Sequence, residues 1–392
     1  MRLFRKGIIS SINEDRKIRV IHPLLDKEKQ KKAKRYEGEK RNLGLIGLFL
    51  SLVVQISFYF SGLSSIIAHW KVFYSALWIF PIFIVIYFLL QDIIGLPVSY
   101  HSGFSLEHKY GFSRQTRKEW FIDHLKGFLL SIVLGIIVFG TLFILFERFP
   151  TIWWLIAGGV MAFFSVILST IFPVLIMPIF HHYDPIEDED LKNNLSDILK
   201  EAGIRIEGFY REDTSKKTTK ENAMLAGMGK TKRVILTDNI IEQMDSSEIR
   251  VILGHEIGHY KKKHMMKFIF IGVCLQIFAF FLLNKIMIIL FPGFLAGFLE
   301  NLILLPIMLF YLELINLFLL KMLQNWISRV FEREADGEAL KLTKDSEGFK
   351  RAMAGLANRN LSNAYPSLWV KLFYYNHPPI EERLTMAENW KG

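Results

Sequence analysis

The sequence predicts a mainly α-helical protein that crosses a membrane about six times and carries a soluble part with a small β-sheet. Hydrophobic residues make up 51% of its 392 positions, and phenylalanine alone occurs 34 times, which is too apolar for an ordinary soluble domain. Several apolar stretches reach the roughly 20 residues that a helix needs to cross a bilayer. They cover residues 43–65, 72–95, 127–146, 152–180, 267–291 and 299–321.

These stretches divide the chain into segments. In order they are a basic N-terminal segment, 1–42, a four-span membrane domain, 43–180, a first soluble part, 181–266, a two-span membrane segment, 267–322, and a second soluble part, 323–392. Residues 1–42 are too charged to cross a bilayer, and the apolar residues near Ile8 are too few for a cleavable signal. We therefore expect the first span to direct the chain to the membrane.

The distribution of Lys and Arg predicts the orientation of the chain. Residues 1–42, 98–125 and 181–266 are rich in both, as is the C-terminal tail. The connections on the opposite side contain almost no Lys or Arg apart from Lys71 and Arg148. By the positive-inside rule the soluble parts face the cytoplasm. The membrane would be the inner membrane in a bacterium or the endoplasmic reticulum in a eukaryote.

Two compositional features exclude other classes of protein. The net charge of +10 fits this orientation and contact with anionic lipid, so no nucleic acid partner is expected. The single cysteine, Cys274, lies within an apolar stretch, so the sequence predicts neither an internal disulfide nor a thiol nucleophile.

The first soluble part combines helical and strand patterns. A helical pattern over 188–202 precedes three stretches with strand character, which predict the small sheet. These stretches are 205–211, 222–227 and 232–236. Asp245 and Glu248 then form the N-cap pattern of a further helix.

This further helix contains an HExxH motif, which runs from His255 to His259. On a helix, residues at i and i+4 project from one face, so His255 and His259 can bind one metal ion. Zinc lowers the pKa of a bound water to about 7, and Glu256 beside it is the predicted general base. The motif alone is a moderate signal, because ordinary polar residues on a solvated helix face produce the same string.

A third metal ligand is expected further along the chain. Read as a helix, the segment from Asn325 to Asp336 places a polar stripe on one face, with Glu332 as the third ligand. Asp336 would accept the free ring N–H of a ligating histidine. Glu334 is a rival ligand that points off this stripe.

The string NxxSRxxExxAD at 325–336 beside HExxH resembles the type I CAAX prenyl endoprotease family, whose bacterial relatives include heat-shock membrane metalloproteases. The resemblance extends to Leu96-Pro97, residues 104–116, Asp123 and Lys126, which are similar to a loop of the CAAX branch, and to an HPPxxER element at 377–383. It implies a zincin-like metalloprotease domain with Zn²⁺ and places Asn325 next to the ligands. The family usually has seven spans, one more than this chain provides.

The resemblance also implies roles in substrate binding. His377 and Arg383 would assist the substrate carbonyl, although Arg383 could instead bind the substrate's C-terminal carboxylate or brace Asp336. The segment Asn222–Ala223–Met224 resembles a strand that pairs with the substrate backbone. A plain structural strand is the alternative.

Two further clusters have less specific interpretations. Glu313 and Asn316 lie within the last span, where they line a polar cavity or form an interhelical hydrogen bond. The run from His181 to Asp184 lacks ligand spacing and is not expected to bind a second metal.

Together these features predict an integral membrane zinc metalloendopeptidase that acts on peptides or proteins attached to the membrane. CAAX-type removal of a C-terminal tripeptide after a prenylated cysteine is the first hypothesis. A quality-control protease of the heat-shock type is the alternative, and a catalytically silent scaffold or transporter is the alternative from another class.

Overall fold

The computed structural model describes residues 21–70, 76–171, 176–180, 182–227 and 232–392. The mainly helical fold class and the small sheet are confirmed. Before the sheet the helices are α1 (Lys27–Phe60), α2 (Leu63–His69), α3 (Ala76–Tyr100), α4 (Leu106–Lys109), α5 (Arg117–Arg148), α6 (Trp153–Ile171) and α7 (Met177–Phe180). After the first strand, Tyr183–Pro185, they are α8 (Glu189–Glu201), α9 (Asp238–Gln243), α10 (Ser246–Lys261), α11 (His264–Leu290), α12 (Phe298–Ile315), α13 (Lys321–Thr343), α14 (Ser346–Arg359), α15 (Leu368–Tyr374) and α16 (Ile380–Glu388).

The number of membrane-capable helices is close to the expected six. Within the described residues, five continuous helices are long and apolar enough to cross a bilayer. They are Lys27–Phe60, Trp78–Lys109, Arg117–Arg148, His264–Leu290 and Phe298–Thr343. A shorter apolar stretch, Trp153–Leu168, occupies the place of the predicted fourth span.

The N-terminal segment differs from the expectation, because its basic part is not separate from the first span. Residues 27–60 form one helix, α1, which begins where the side chain of Asp26 accepts a hydrogen bond from the Lys29 N–H. The charged half packs against the second soluble part: Gln30 donates to the Ser362 carbonyl at 3.1 Å and accepts from the Ala364 N–H at 3.0 Å. Residues 1–20 lie outside the described residues.

The connection expected at 98–125 is also mostly helical. After α3 the chain continues through a π-helical turn, His101–Ser105, into α4, and Tyr100 stacks on Phe104 with ring centroids 5.0 Å apart. A capping box between Thr116 and Glu119 then starts α5. Because the π turn continues the helical backbone hydrogen bonding past the expected end of the span, only a short loop separates α4 from α5.

The sheet has four strands in the order β1-β2-β4-β3, formed by Tyr183–Pro185, Gly208–Glu212, Arg233–Thr237 and Ala223–Ala226 respectively. β2 and β4 are parallel, and the other two pairs are antiparallel. β3 is therefore an edge strand, in the register Ala223↔Leu236. The sheet, α8, α10, α13 and α14 share one hydrophobic core, to which Ile198, Ile257 and Phe349 contribute fully buried side chains.

The helices α10 and α13 pack side by side and carry the motifs that the sequence singled out. The predicted N-cap of α10 is confirmed: Asp245 accepts from the Glu248 N–H at 2.8 Å, and Glu248 accepts from the Asp245 N–H at 3.1 Å. Gly258 allows the close approach, because a Cβ there would lie 2.8 Å from the Ala335 carbonyl oxygen. The backbones of the two helices thus meet one residue before His259.

Candidate metal centre and catalytic cleft

Three side chains from α10 and α13 converge on one point. The Nε2 atoms of His255 and His259 are 3.1 Å apart, and each lies 3.3 Å from a different carboxylate oxygen of Glu332. Helical spacing brings the two histidines to one face of α10, and the packing of α13 supplies Glu332 from the opposite side. Among the described residues, this is the one group of His, Cys, Asp and Glu side chains whose spacing fits a metal ion.

The spacing fits a tetrahedral metal site. Donor atoms about 2.0–2.1 Å from a tetrahedral ion lie about 3.3 Å from one another, which agrees with the three separations. Glu332 is buried, and its Oε2 accepts no well-formed hydrogen bond from any described residue. A buried carboxylate oxygen without a donor is costly, so this atom fits a metal ligand better than a structural polar group.

His255 is oriented by a buried ion pair behind it. Its Nδ1 lies 2.8 Å from Oδ1 of Asp336, whose side chain is fully buried and also accepts from the Arg383 Nε at 2.9 Å. Burial opposes the charge on His255, but the carboxylates of Asp336 and Glu332 outweigh it and raise the pKa of His255 to about 9. The structure thus shows Arg383 bracing Asp336, which was one of the alternatives open from the sequence.

Glu256 lies in a cleft of about 460 Å³ that His255 also borders. Desolvation in this cleft raises the pKa of Glu256, and the positive charges of His255 and His259 only partly oppose the shift. The backbone N–H of Leu225 in β3 points toward the same carboxylate. A carboxylate with a raised pKa beside a metal site is suited to accept a proton at neutral pH.

His377 occupies the rim of the cleft. Its Nε2 lies 3.4 Å from Glu332 Oε1, its Nδ1 lies 2.8 Å from Asn376 Oδ1, and its side chain is 54% exposed. The Nε2 of His377 therefore faces the three converging side chains, and the ring also lines the cleft.

The strand segment expected to bind substrate borders the cleft in part. Asn222 and Ala223 line it, while Met224 follows on the opposite face of β3, since Ala223 and Leu225 pack against the core. Asn222 is held by Thr237, whose N–H donates to the Asn222 carbonyl at 3.1 Å. The strand is an edge, so one side of its backbone is not paired within the sheet.

Asn325 lies away from the three converging side chains. It precedes Glu332 by two helical turns, about 10 Å along α13 at 1.5 Å per residue, and its amide donates to the Leu372 carbonyl at 3.1 Å. Arg329 donates to the carbonyls of Lys371 and Tyr375. The first half of the predicted polar stripe therefore holds α15 and the segment that leads to His377.

Sequence reasoning missed His264, which lies between His259 and Glu334. His264 Nδ1 lies 2.9 Å from the Nδ1 of His259, and its Nε2 lies 3.0 Å from Glu334 Oε2. Helical periodicity could not find this contact because Lys263, with φ 55° and ψ 38°, breaks the helix between α10 and α11. Glu334 is thus placed behind His259 and outside the group of three converging side chains.

The polar residues within the last span border a cavity of about 790 Å³ between the membrane-spanning helices. Glu313 and Asn316 both line it, and Glu313 Oε2 also accepts a hydrogen bond from Gln55 of α1 at 2.9 Å. Both interpretations that the sequence allowed are therefore present. In the run at 181–184, the exposed His182 pairs with Asp184 at 3.3 Å, and His181 lies outside the described residues.

Comparisons with known proteins match both the membrane-spanning part and the soluble part of the chain. Residues 13–182 match a family model described as CAAX prenyl protease N-terminal, five membrane helices, and residues 185–391 match the model of peptidase family M48. A CAAX prenyl protease 1 from Saccharomyces cerevisiae is 30% identical over 76% of this chain and 70% of its own length. An uncharacterized metalloprotease from Bacillus subtilis, YhfN, is 29% identical over 91% of this chain and 84% of its own.

A solved structure is similar across nearly the whole fold. The crystal structure of S. mikatae Ste24p superimposes with a TM-score of 0.77 at 26% identity, covering 92% of this chain and 89% of that one. The similarity includes both the membrane-spanning helices and the soluble domain that carries the three converging side chains.

Proposed function

The chain belongs to peptidase family M48, among the CAAX prenyl proteases, and is a membrane metalloprotease; on this premise we propose that it is a zinc endopeptidase for membrane-attached substrates. The observation that carries the proposal is the convergence of His255, His259 and Glu332 beside Glu256. Family membership favours this enzyme over a transporter or a silent scaffold.

The donor set favours zinc. Two imidazole nitrogens and one carboxylate are the ligands of a catalytic zinc site, which keeps its fourth position open. Zinc bound there would supply Lewis acidity toward water and toward the substrate carbonyl. The ligands themselves come from two rigid helices, which favours a preformed site.

Three other parts of the cleft have roles in the proposed reaction. Glu256 accepts a proton from the attacking water and later passes it to the leaving amine, for which its raised pKa is suited. His377 donates a hydrogen bond to the carbonyl oxygen as negative charge grows there, which is worth about 3 kcal/mol for one well-aimed donor. The segment Asn222–Ala223 pairs with the substrate backbone and holds it extended.

The size and position of the cleft favour a short segment close to the membrane. A volume of about 460 Å³ is in the range of small-ligand sites, so it admits a few residues and excludes a folded domain. His259 lies at the end of α10, directly before the membrane-capable helix α11. CAAX-type cleavage, removing a tripeptide after a prenylated cysteine, fits these limits and the names of the relatives.

We place the catalytic domain on the cytoplasmic side. The charged half of α1 packs against the second soluble part, and the run Lys261–Lys262–Lys263 directly precedes the membrane-capable helix α11. These charges follow the positive-inside rule. Labelling of single cysteines introduced near Arg351, in cells with the Cys274→Ala background, tests the side directly: a membrane-impermeant reagent added outside should not react.

The function is tested with protein purified in detergent. Zinc content and cleavage would be measured for the wild type, Glu256→Gln and the exposed control Glu242→Gln, using a farnesylated C-terminal peptide, the same peptide without the lipid and a misfolded membrane protein. We expect stoichiometric zinc in all three proteins and release of a tripeptide from the farnesylated peptide by the wild type and the control. A loss of about 10²–10⁴-fold is expected for Glu256→Gln.

The other outcomes are informative in different ways. Cleavage of the misfolded protein alone would replace the CAAX assignment with quality control, and equal cleavage of the two peptides would show that the lipid is not recognised. Absence of zinc from the wild type, or full activity of Glu256→Gln, would refute the mechanism.

A further inference from the structure

His264 lies in a position that the proposed reaction has not yet used. It is the first residue of α11, its side chain is only 1% exposed, and its two ring nitrogens face His259 on one side and Glu334 on the other. A buried imidazole with a hydrogen-bond partner at both nitrogens has a fixed orientation. The question is in which direction these bonds run.

The bonds have one consistent direction when His259 binds a metal. His259 faces His255 and Glu332 with Nε2, so Nε2 must keep its lone pair for the ion, and the neutral ring then carries its proton on Nδ1. That N–H can donate to Nδ1 of His264 at 2.9 Å. The proton of His264 then lies on Nε2 and donates to Glu334 at 3.0 Å.

We propose that His264 and Glu334 form a hydrogen-bonded relay that positions His259 and strengthens its binding of the metal; the proposal rests on the metalloprotease function above. His255 donates directly to Asp336, whereas His259 reaches its carboxylate through a second imidazole. Each histidine ligand therefore ends at a carboxylate of α13. Such outer partners typically change metal affinity 10–100-fold.

The surroundings hold His264 in place. The ring of His264 stacks on Phe331 with centroids 4.5 Å apart and planes at 5°. Phe268 also packs edge-on against Phe331, with ring centroids 4.7 Å apart. Lys267 Nζ lies 3.7 Å from Glu334 Oε2 and keeps that carboxylate on the relay side of α13. The break at Lys263 changes the direction of the chain between α10 and α11, so that the His264 side chain contacts His259.

The relay is tested by zinc affinity, measured by competition with a chelator on the full-length protein in detergent. His264→Phe keeps the ring that stacks on Phe331 but leaves the His259 N–H without an acceptor, so we expect the zinc Kd to rise 10–100-fold. His264→Asn retains an acceptor oxygen for His259, so its zinc Kd should lie between those of the wild type and His264→Phe. Glu334→Gln should raise Kd by less than His264→Phe, because an amide oxygen still accepts the bond.

A double variant separates a relay from two independent effects. If Glu334 acts through His264, His264→Phe combined with Glu334→Gln binds zinc no more weakly than His264→Phe alone. Co²⁺ loaded in place of zinc gives a visible spectrum that should shift in His264→Phe and not in Phe268→Leu. The Phe268→Leu variant disturbs only the packing around Phe331 and is the matched control.

The proposal is overturned if His264→Phe binds zinc within twofold of the wild type, or if the two substitutions are additive. It is also overturned if Phe268→Leu weakens zinc binding as much as His264→Phe, since packing would then explain the effect. Failure of the wild type to bind zinc would instead refute the metal site on which the relay rests, so the two failures are distinguishable.

Discussion

Substitution of Gly258 by alanine tests whether the contact between α10 and α13 sets the geometry of the metal centre. A Cβ at this position would lie 2.8 Å from the Ala335 carbonyl oxygen, 2.9 Å from the Ala335 Cα and 3.1 Å from the Glu338 Cβ. Non-bonded carbon atoms normally lie about 3.5–4.0 Å apart. Two of the three atoms belong to the backbone, so no side-chain rotation can relieve the overlap.

The magnitude follows from these distances. The helices must separate by about 0.6 Å or more, whereas metal–ligand distances tolerate only about 0.2 Å. Overpacking of this kind costs about 1–3 kcal/mol, against a gain of up to about 1 kcal/mol from replacing glycine by alanine in a helix. We therefore expect a lower unfolding midpoint and a zinc Kd at least tenfold higher.

The assay compares three glycines of the two helices. Gly337→Ala is the control, since its added Cβ meets only the flexible Met386 Cε at 3.9 Å and should not weaken zinc binding. Gly254→Ala should be intermediate, because the Ala339 Cα lies at 3.4 Å from its Cβ. Unchanged zinc affinity and thermal stability in Gly258→Ala, with the other two also unchanged, would refute the argument that this backbone contact sets the site.

Four further predictions concern the charges of the site. Glu332→Gln should lose stoichiometric zinc, as measured by metal analysis after dialysis, because an uncharged amide replaces the third ligand. Apparent zinc affinity should rise about tenfold per pH unit up to pH 9, since a proton must leave His255, whose pKa without metal is raised to about 9. Conversely, the metal-free protein should lose stability as pH rises from about 6.5 through 9, because the raised folded-state pKa of His255 stabilises the fold only while His255 is protonated. A zinc Kd that does not change with pH would contradict the first of these two predictions, and a melting curve that does not change with pH would contradict the second. Asp336→Asn should cost about 3–5 kcal/mol in denaturant unfolding, because Arg383 is left buried without its counter-charge, and an unchanged midpoint would show that this ion pair is not stabilising.

The convergence of the three candidate ligands was largely predictable because its signals are local. His255 and His259 lie one turn apart, and Glu332 and Asp336 do so on another helix, so helical periodicity alone places each pair on one face. What periodicity could not show is the distance between those faces. Asn325 shares the stripe of Glu332, yet α15 covers it, and this outcome depends on a segment that lies far along the chain.

Other features depended on breaks in helices or on their continuation. The sequence indicated charges before the first span, but the structure shows that residues 27–60 form one helix, in which Glu37 accepts from the Tyr375 hydroxyl at 2.7 Å. The expected loop after the second span became a π turn and a further helical turn. Local patterns predict where backbone can be helical, whereas tertiary contacts decide where it stops.

The sequence by itself determined the membrane-spanning architecture, the zinc-binding type of motif and the small sheet, since each rests on a hydrophobic or helical period within a single segment. Only the tertiary structure decided that Arg383 braces Asp336, that β3 lies at the edge beside Glu256, and that His264 reaches His259 across a helix break. The physical reason is that a side chain's direction follows from its own helix or strand, while its partner is set by how separate elements pack.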